Sequence, residues 1–154
     1  SILAKLEPKG IRGDGPMNAS RYWGLNAQEY YAKADVWPLA PHGEILVGLM
    51  IESPEAIENL DDMLANVPGI GFCLIGEGDL SQELGYARQY DHPVVLEAKA
   101  KVLAAAKAAG VPVAHPHANP GNAERALADG FGILFCTPTR SFATLDKVKS
   151  LQAG

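Results

Sequence analysis

The stretch Glu44-Ile-Leu-Val-Gly-Leu-Met-Ile-Glu52, followed by Ser53-Pro54-Glu55, decides the fold. Its first part is a short, nearly continuous apolar run, which is typical of a parallel strand buried on both faces. The second part predicts the start of a helix. Ser53 is a favoured N-cap, Pro54 suits the first helical position, and Glu55 interacts well with the positive end of the helix dipole. A strand that leads directly into a helix indicates a βα unit.

This strand-and-helix pattern is repeated along residues 44–154, giving four predicted βα units. Apolar positions at helical spacing extend the first helix to about Val67. Further strands are predicted at residues 71–76, 111–114 and 131–136, and further helices at residues 94–109, 119–130 and 141–151. Four such units fit half of a (βα)8 (TIM) barrel, which usually needs about 250 residues. They also fit a small open doubly wound sheet, although no Gly-rich phosphate-binding sequence follows any strand.

Residues 1–43 differ from the rest, and we expect them to be a loop-and-helix lead-in to a single domain of residues 1–154. Residues 1–6 could end a helix, and residues 8–16 predict a loop rich in Gly and Pro. A short helix is predicted over residues 26–34, and another loop over residues 37–41.

Composition excludes some classes of function. The net charge of −5 and the lack of clustered Lys and Arg argue against a nucleic-acid or anionic-membrane surface. The longest apolar run, residues 45–51, is far shorter than the ~20 residues that span a membrane. No signal-peptide pattern is found, and Cys73 and Cys136 lie in apolar runs that predict reduced, buried thiols. These features predict a cytoplasmic protein.

Polar residues follow the predicted strands at their carboxyl ends, where βα proteins place their chemistry. Glu52 ends the first strand, Asp79 follows the second, and His115 and His117 follow the third. Adjacent strands lie ~4.8 Å apart, so the two carboxylates could converge on one cation such as Mg²⁺ or Mn²⁺. Spacing alone leaves an alternative open, in which Glu52 caps the next helix and Asp79 belongs to a loop. Glu77, a third acidic residue nearby, is expected to face solvent, and the alternative is that it tunes the metal.

Two of these motifs carry a resemblance to a known family. Met50-Ile-Glu-Ser53, with Ala56 and Asn59-Leu60, and then Ile75-Gly-Glu-Gly-Asp-Leu-Ser81 resemble the metal-dependent HpcH/HpaI aldolases. Pro8-Lys-Gly-Ile-Arg-Gly13 is similar to the family's loop ahead of the glutamate strand. The resemblance covers nearly the whole chain. It implies the C-terminal half of a TIM barrel, corresponding to the last four βα units.

The resemblance also implies a chemistry. Glu52 and Asp79 would hold Mg²⁺, Mn²⁺ or Co²⁺, and backbone N–H groups at Gly78 and Asp79 would bind the substrate carboxylate. The cation would chelate pyruvate or a similar 2-oxo acid and stabilise its enolate, which adds to an aldehyde to give a 4-hydroxy-2-oxo acid. The family also implies a homo-oligomer. A Schiff-base mechanism is poorly supported, because no lysine lies in a predicted strand.

The family's catalytic histidine and substrate-binding arginine come from upstream strands that have no match in this sequence. The replacement candidates are Arg12 and His117 as catalytic residues and His115 as a substrate contact, with Arg21 and Arg140 as weaker candidates. We therefore expect full activity to need an upstream half. The alternative is a non-catalytic metal-binding half-barrel or assembly subunit. An acyl-CoA lyase is a third option, disfavoured because no basic site for the CoA phosphates is evident.

Overall fold

The structure, a computed structural model, describes residues 17–137 and 140–152. Arg12, the possible helix of residues 1–6 and the loop of residues 8–16 lie outside the described residues. The chain divides into two compact units, Ser1–Val47 and Gly48–Gly154.

In the first unit, the structure contains helices α1 (Met17–Tyr22) and α2 (Ala27–Lys33). Helix α2 confirms the helix predicted over residues 26–34. It begins with a capping box, in which the Asn26 side chain accepts from the Glu29 N–H and the Glu29 carboxylate accepts from the Asn26 N–H, both at 2.9 Å. Helix α1 was not predicted from the sequence.

The remaining elements alternate between strand and helix, and the four strands form one sheet in the order β1-β2-β3-β4. Parallel pairing joins β2 to β3, with Cys73 opposite Val113, and β3 to β4, with Ala114 opposite Ile133. The elements in chain order are β1 (Val47–Ile51), α3 (Pro54–Glu58), α4 (Leu60–Asn66), β2 (Ile70–Ile75), α5 (Glu77–Glu83), α6 (Pro93–Ala108), β3 (Val113–Ala118), α7 (Ala123–Ala128), β4 (Ile133–Cys136) and α8 (Ala143–Gln152).

Three elements differ from their predictions. The first predicted helix is two helices that meet at Asn59, where the side-chain amide (2.9 Å) and the backbone N–H (3.1 Å) both donate to the Glu55 carbonyl. Residues 77–83, for which no helix was predicted, form α5. Strand β3 continues to Ala118, so His115 and His117 lie within the strand and not beyond it.

The core lies between the sheet and its helices. Ile51, Cys73, Ile75 and Val113 extend from the strands into this layer, where they pack with Leu60, Ala98, Val102 and Ala106 from the helices. The opposite face of the sheet carries the alternate residues, because successive strand side chains point to opposite sides. Phe72 and Phe135 meet edge to face on it at 6.0 Å, and Met50 remains 56% exposed there. Among the described residues of the second unit, the helices cover one face of this sheet.

The two cysteines differ in environment. Cys73 is fully buried, as predicted, and burial raises the pKa of its thiol. Cys136 is exposed, so its predicted burial is wrong. It ends β4, the last strand in the sheet order, which has a strand neighbour on one side only. No helix in the part of the chain described here is long and apolar enough to cross a membrane.

Candidate functional site

Glu52 follows directly on the last residue of β1, at the edge of the sheet where the strands end. The Gly76 N–H donates to the Ile51 carbonyl at 2.9 Å, which aligns the ends of β1 and β2. The Glu52 side chain lies against Gly76. A Cβ added at Gly76 would lie 2.7 Å from Glu52 Cβ and 2.9 Å from its Oε2. Only a glycine at this position leaves room for the Glu52 carboxylate.

Asp79 lies in the first turn of α5, the helix that Gly76 caps. Its side chain is exposed, and a Cβ placed on the neighbouring Gly78 would meet nothing within 4 Å. The first N–H groups of any helix have no partner inside it. The Glu52 carboxylate, the Asp79 carboxylate and these N–H groups are therefore all found at the start of α5, with open space beside Gly78.

The donor chemistry of this pair suits a hard divalent cation. Carboxylate oxygens are the preferred ligands of Mg²⁺ and Mn²⁺. Over residues 17–137 and 140–152, no group of three or more His, Cys, Asp or Glu side chains is arranged to hold a metal ion. A cation held by Glu52 and Asp79 would therefore complete its shell of about six oxygens with water and substrate, as Mg²⁺ commonly does.

Glu77 does not face solvent, so that expectation is wrong. Its side chain is 4% exposed and forms an ion pair with Lys99 of α6, which is itself only 14% exposed. The physical reason is the direction of the chain: Ile75 and Glu77 point towards the helices, whereas Gly76 between them faces Glu52. The acidic residue next to the candidate site thus points away from it.

Lys99 was missed by the sequence reasoning, although a signal exists. Val95, Val102 and Ala106 form a buried stripe on α6 at helical spacing. Lys99 falls within this stripe, four residues after Val95 and three before Val102. A charged residue at a core position requires a charged or hydrogen-bonding partner, and the nearby acidic Glu77 is that partner.

His115 and His117 line a cavity of about 710 Å³ on the helix-facing side of the sheet. Glu77 and Lys99 line the same cavity, but Glu52 and Asp79 do not. The structure thus brings the two predicted histidines together with the buried ion pair and not with the predicted metal ligands. Other polar residues in the lining are Tyr90, Asp91, Asn119, Asn122, Arg125 and Asp129.

The His115 imidazole is half-buried and packs edge to face on Phe131, with ring centroids 4.8 Å apart. Burial lowers the pKa of His115, because it penalises the charged imidazolium. Glu77 and Asp129 act in the opposite direction, and Lys99 and His117 add to the lowering. Burial is the largest of these effects, so the net lowering of the pKa favours the neutral imidazole.

The other predicted residues are placed as follows. Arg12 lies outside the described residues, Arg21 is exposed on α1, and Arg140 is exposed between β4 and α8. Among the lysines that the structure describes, none lies in a strand, as the argument against a Schiff base expected.

Known proteins match this chain along most of its length. The family model for HpcH/HpaI aldolase/citrate lyase matches residues 3–134. A hydroxypyruvate/pyruvate aldolase from Rhizorhabdus wittichii is 37% identical over 134 residues, covering 85% of this chain and 49% of that protein. A 2-keto-3-deoxy-L-rhamnonate aldolase from Klebsiella pneumoniae is 36% identical, covering 82% of this chain and 44% of that protein.

The solved structures agree with the predicted fold class. A crystal structure of a family protein from Burkholderia cenocepacia superposes with a TM-score of 0.68 at 25% identity, covering 96% of this chain and 54% of that one. The chain thus spans about half the length of the relatives and structures that it matches. Its parallel sheet with alternating helices is a half-barrel of the TIM type.

Proposed function

Since the chain belongs to the HpcH/HpaI aldolase/citrate lyase family, we propose that it provides the divalent-cation site of an aldolase that forms or cleaves 4-hydroxy-2-oxo acids. The observation that carries this proposal is the contact of the Glu52 carboxylate with Gly76, the residue that caps the helix bearing Asp79. The named activities of the relatives, on pyruvate, hydroxypyruvate and a 2-keto-3-deoxy acid, support the substrate class.

The proposed roles follow from the chemistry of each group. Glu52 and Asp79 hold Mg²⁺ or Mn²⁺, and the N–H groups of Gly78 and Asp79 bind the carboxylate of a pyruvate-like 2-oxo acid. Helix N-termini favour anions, because their N–H groups are unpaired and the dipole is positive there. The bound cation supplies Lewis-acid stabilisation of the charge that develops on the substrate's oxygen. The second substrate is an aldehyde.

The acid–base residues of the reaction belong, in this proposal, to a part of the enzyme outside these four βα units. His115 and His117 line the cavity on the helix-facing side, and neither predicted metal ligand lines that cavity. Arg12 stays a predicted catalytic residue, and His115 a predicted substrate contact. We further propose that the functional enzyme is a homo-oligomer, as the family resemblance implies. It is also proposed to be cytoplasmic and to need an upstream half for full activity, because the family's catalytic histidine has no match in this sequence.

The proposal is tested by incubating the protein with pyruvate in D₂O and following the methyl signal by NMR, with Mn²⁺ and then with EDTA. We expect Mn²⁺-dependent loss of the signal that Asp79→Asn abolishes. Asp61→Asn, which removes an exposed carboxylate on α4, is the matched control and leaves the exchange unchanged. Exchange that persists in EDTA or in Asp79→Asn contradicts the proposal. A folded chain that binds Mn²⁺ without exchange, also after the upstream half of a family aldolase is added, favours the alternative, a non-catalytic metal-binding half-barrel.

A further inference from the structure

A buried ion pair lies immediately behind the turn that carries the proposed site. Glu77 is the first residue of α5, and its carboxylate is paired with Lys99 in the middle of α6. Both side chains are largely shielded from water. Surface ion pairs contribute little to stability, but removing one partner of a buried pair is strongly destabilising, because an uncompensated charge remains in the core.

The first turn of α5 is held from its helix-facing side and open on the other. Leu80 and Ser81 are fully buried. The Ser81 hydroxyl donates to the Gly78 carbonyl and accepts from the Arg88 N–H, both at 2.9 Å. Gly78 and the exposed Asp79 face the open side. These attachments of the turn lie on the side away from the candidate site.

We propose that the Glu77–Lys99 ion pair is a positioning element, which fixes the first turn of α5 against α6 and thereby sets the place of Asp79 and the N–H group of Gly78. This inference rests on the proposed function for its consequence in metal binding. The restraint on the turn is a property of the chain itself. Groups that orient metal ligands commonly change metal affinity when they are removed.

The ion pair between Glu77 and Lys99 joins α5 to α6, and both of its side chains are buried or nearly so. By contrast, Lys101 lies on the same helix and pairs with Glu97 at 2.9 Å, with both side chains more than half exposed. Lys101→Met is therefore a matched control. It removes a lysine from α6 and breaks an ion pair, but it leaves the first turn of α5 untouched.

The experiment compares the wild-type chain with Lys99→Met, Glu77→Gln/Lys99→Met and Lys101→Met. Hydrogen exchange of the Leu80 amide, which closes the first turn by donating to the Gly76 carbonyl at 2.9 Å, reports on the turn without any metal. The double variant guards against unfolding of Lys99→Met, because it leaves no unpaired buried charge. Circular dichroism confirms that each variant is folded.

We expect Leu80 exchange to accelerate about tenfold or more in both Lys99→Met and the double variant, and to be unchanged in Lys101→Met. Mn²⁺ affinity, measured by electron paramagnetic resonance, is expected to weaken about tenfold to a hundredfold in the same two variants. Wild-type Leu80 exchange in a folded double variant overturns the positioning role. Wild-type protein that binds no Mn²⁺ instead overturns the proposed function, while the exchange comparison still decides the role of the pair.

Discussion

Gly76 lies next to two acidic residues, Glu52 and Glu77, whose side chains point to opposite sides. The Glu52 carboxylate occupies the space where a Cβ of residue 76 would lie, and the next residue, Glu77, points inward to Lys99. A side chain at position 76 would occupy the space of the Glu52 carboxylate. The proposed metal site therefore depends on this glycine for room.

Gly76→Ala is expected to displace Glu52 and weaken Mn²⁺ binding by about tenfold or more, since small shifts of a ligand reduce metal affinity. The matched control is Gly132→Ala, before β4 at the other end of the sheet, where the nearest atom to a new Cβ is that of Pro112 at 3.3 Å. Calorimetric titration with Mn²⁺ measures both. Equal affinities in wild type and Gly76→Ala would show that Glu52 is not a ligand or that it has room to move.

Sequence alone predicted that Glu52 and Asp79 follow the first two strands, but it did not predict the direction of every side chain. Glu52 and Asp79 were located because strand ends and the family resemblance both point to them. Glu77 points inward with Ile75, and its buried charge is compensated by Lys99, more than twenty residues later on another helix. A pairing of that kind is a tertiary contact, and the local pattern around Glu77 carries no trace of it.

At the scale of elements, the predicted bounds of some helices and strands match the structure and others do not. The long helix α6 matches its prediction closely, because Pro93 opens it and Gly110, with φ +70°, follows its end. Strand β3 was predicted too short, since Pro116 and two histidines interrupt its apolar pattern. Its extension places both histidines in the cavity between the sheet and the helices and not in a loop.

The burial of His115 between β3 and its covering helices gives stability a pH dependence. Its folded-state pKa is lowered by burial, so between that pKa and the unfolded value of about 6.5 the unfolded chain binds more protons. The contribution of neutral His115 to the free energy of unfolding is fully present above the unfolded-state pKa. It is lost as the pH falls through the folded-state pKa. We expect the free energy of unfolding to drop between pH 7.5 and pH 5.5.

Urea denaturation at these two pH values measures the drop, and His115→Gln, which cannot titrate, is expected to reduce it. His42→Gln is the control, because that histidine is exposed in the first unit. Glu77, Lys99, His117 and Asp129 surround His115 electrostatically and are kept unchanged in both variants. An identical drop in wild type and His115→Gln would show that His115 charges as easily in the folded protein as in the unfolded chain.

At the scale of the whole molecule, the fold class could be predicted from the sequence. The exposure of one face of the sheet could not. The strand sequences indicated burial on both faces, and in the structure helices cover one face while Met50 and Phe135 on the other are exposed. The chain spans about half of its relatives' length. In a closed eight-stranded barrel, the face without helices would form the interior.

The central claim is that Glu52 and Asp79 share one divalent cation. Titration of Mn²⁺ into wild type, Glu52→Gln, Asp79→Asn and the control Asp61→Asn, followed by electron paramagnetic resonance, tests it most directly. The account predicts one Mn²⁺ site in wild type and in Asp61→Asn, and affinity reduced about a hundredfold or more in each of the other two, since each loses a charged ligand. Equal Mn²⁺ binding in all four proteins, or none in the wild type, would contradict it.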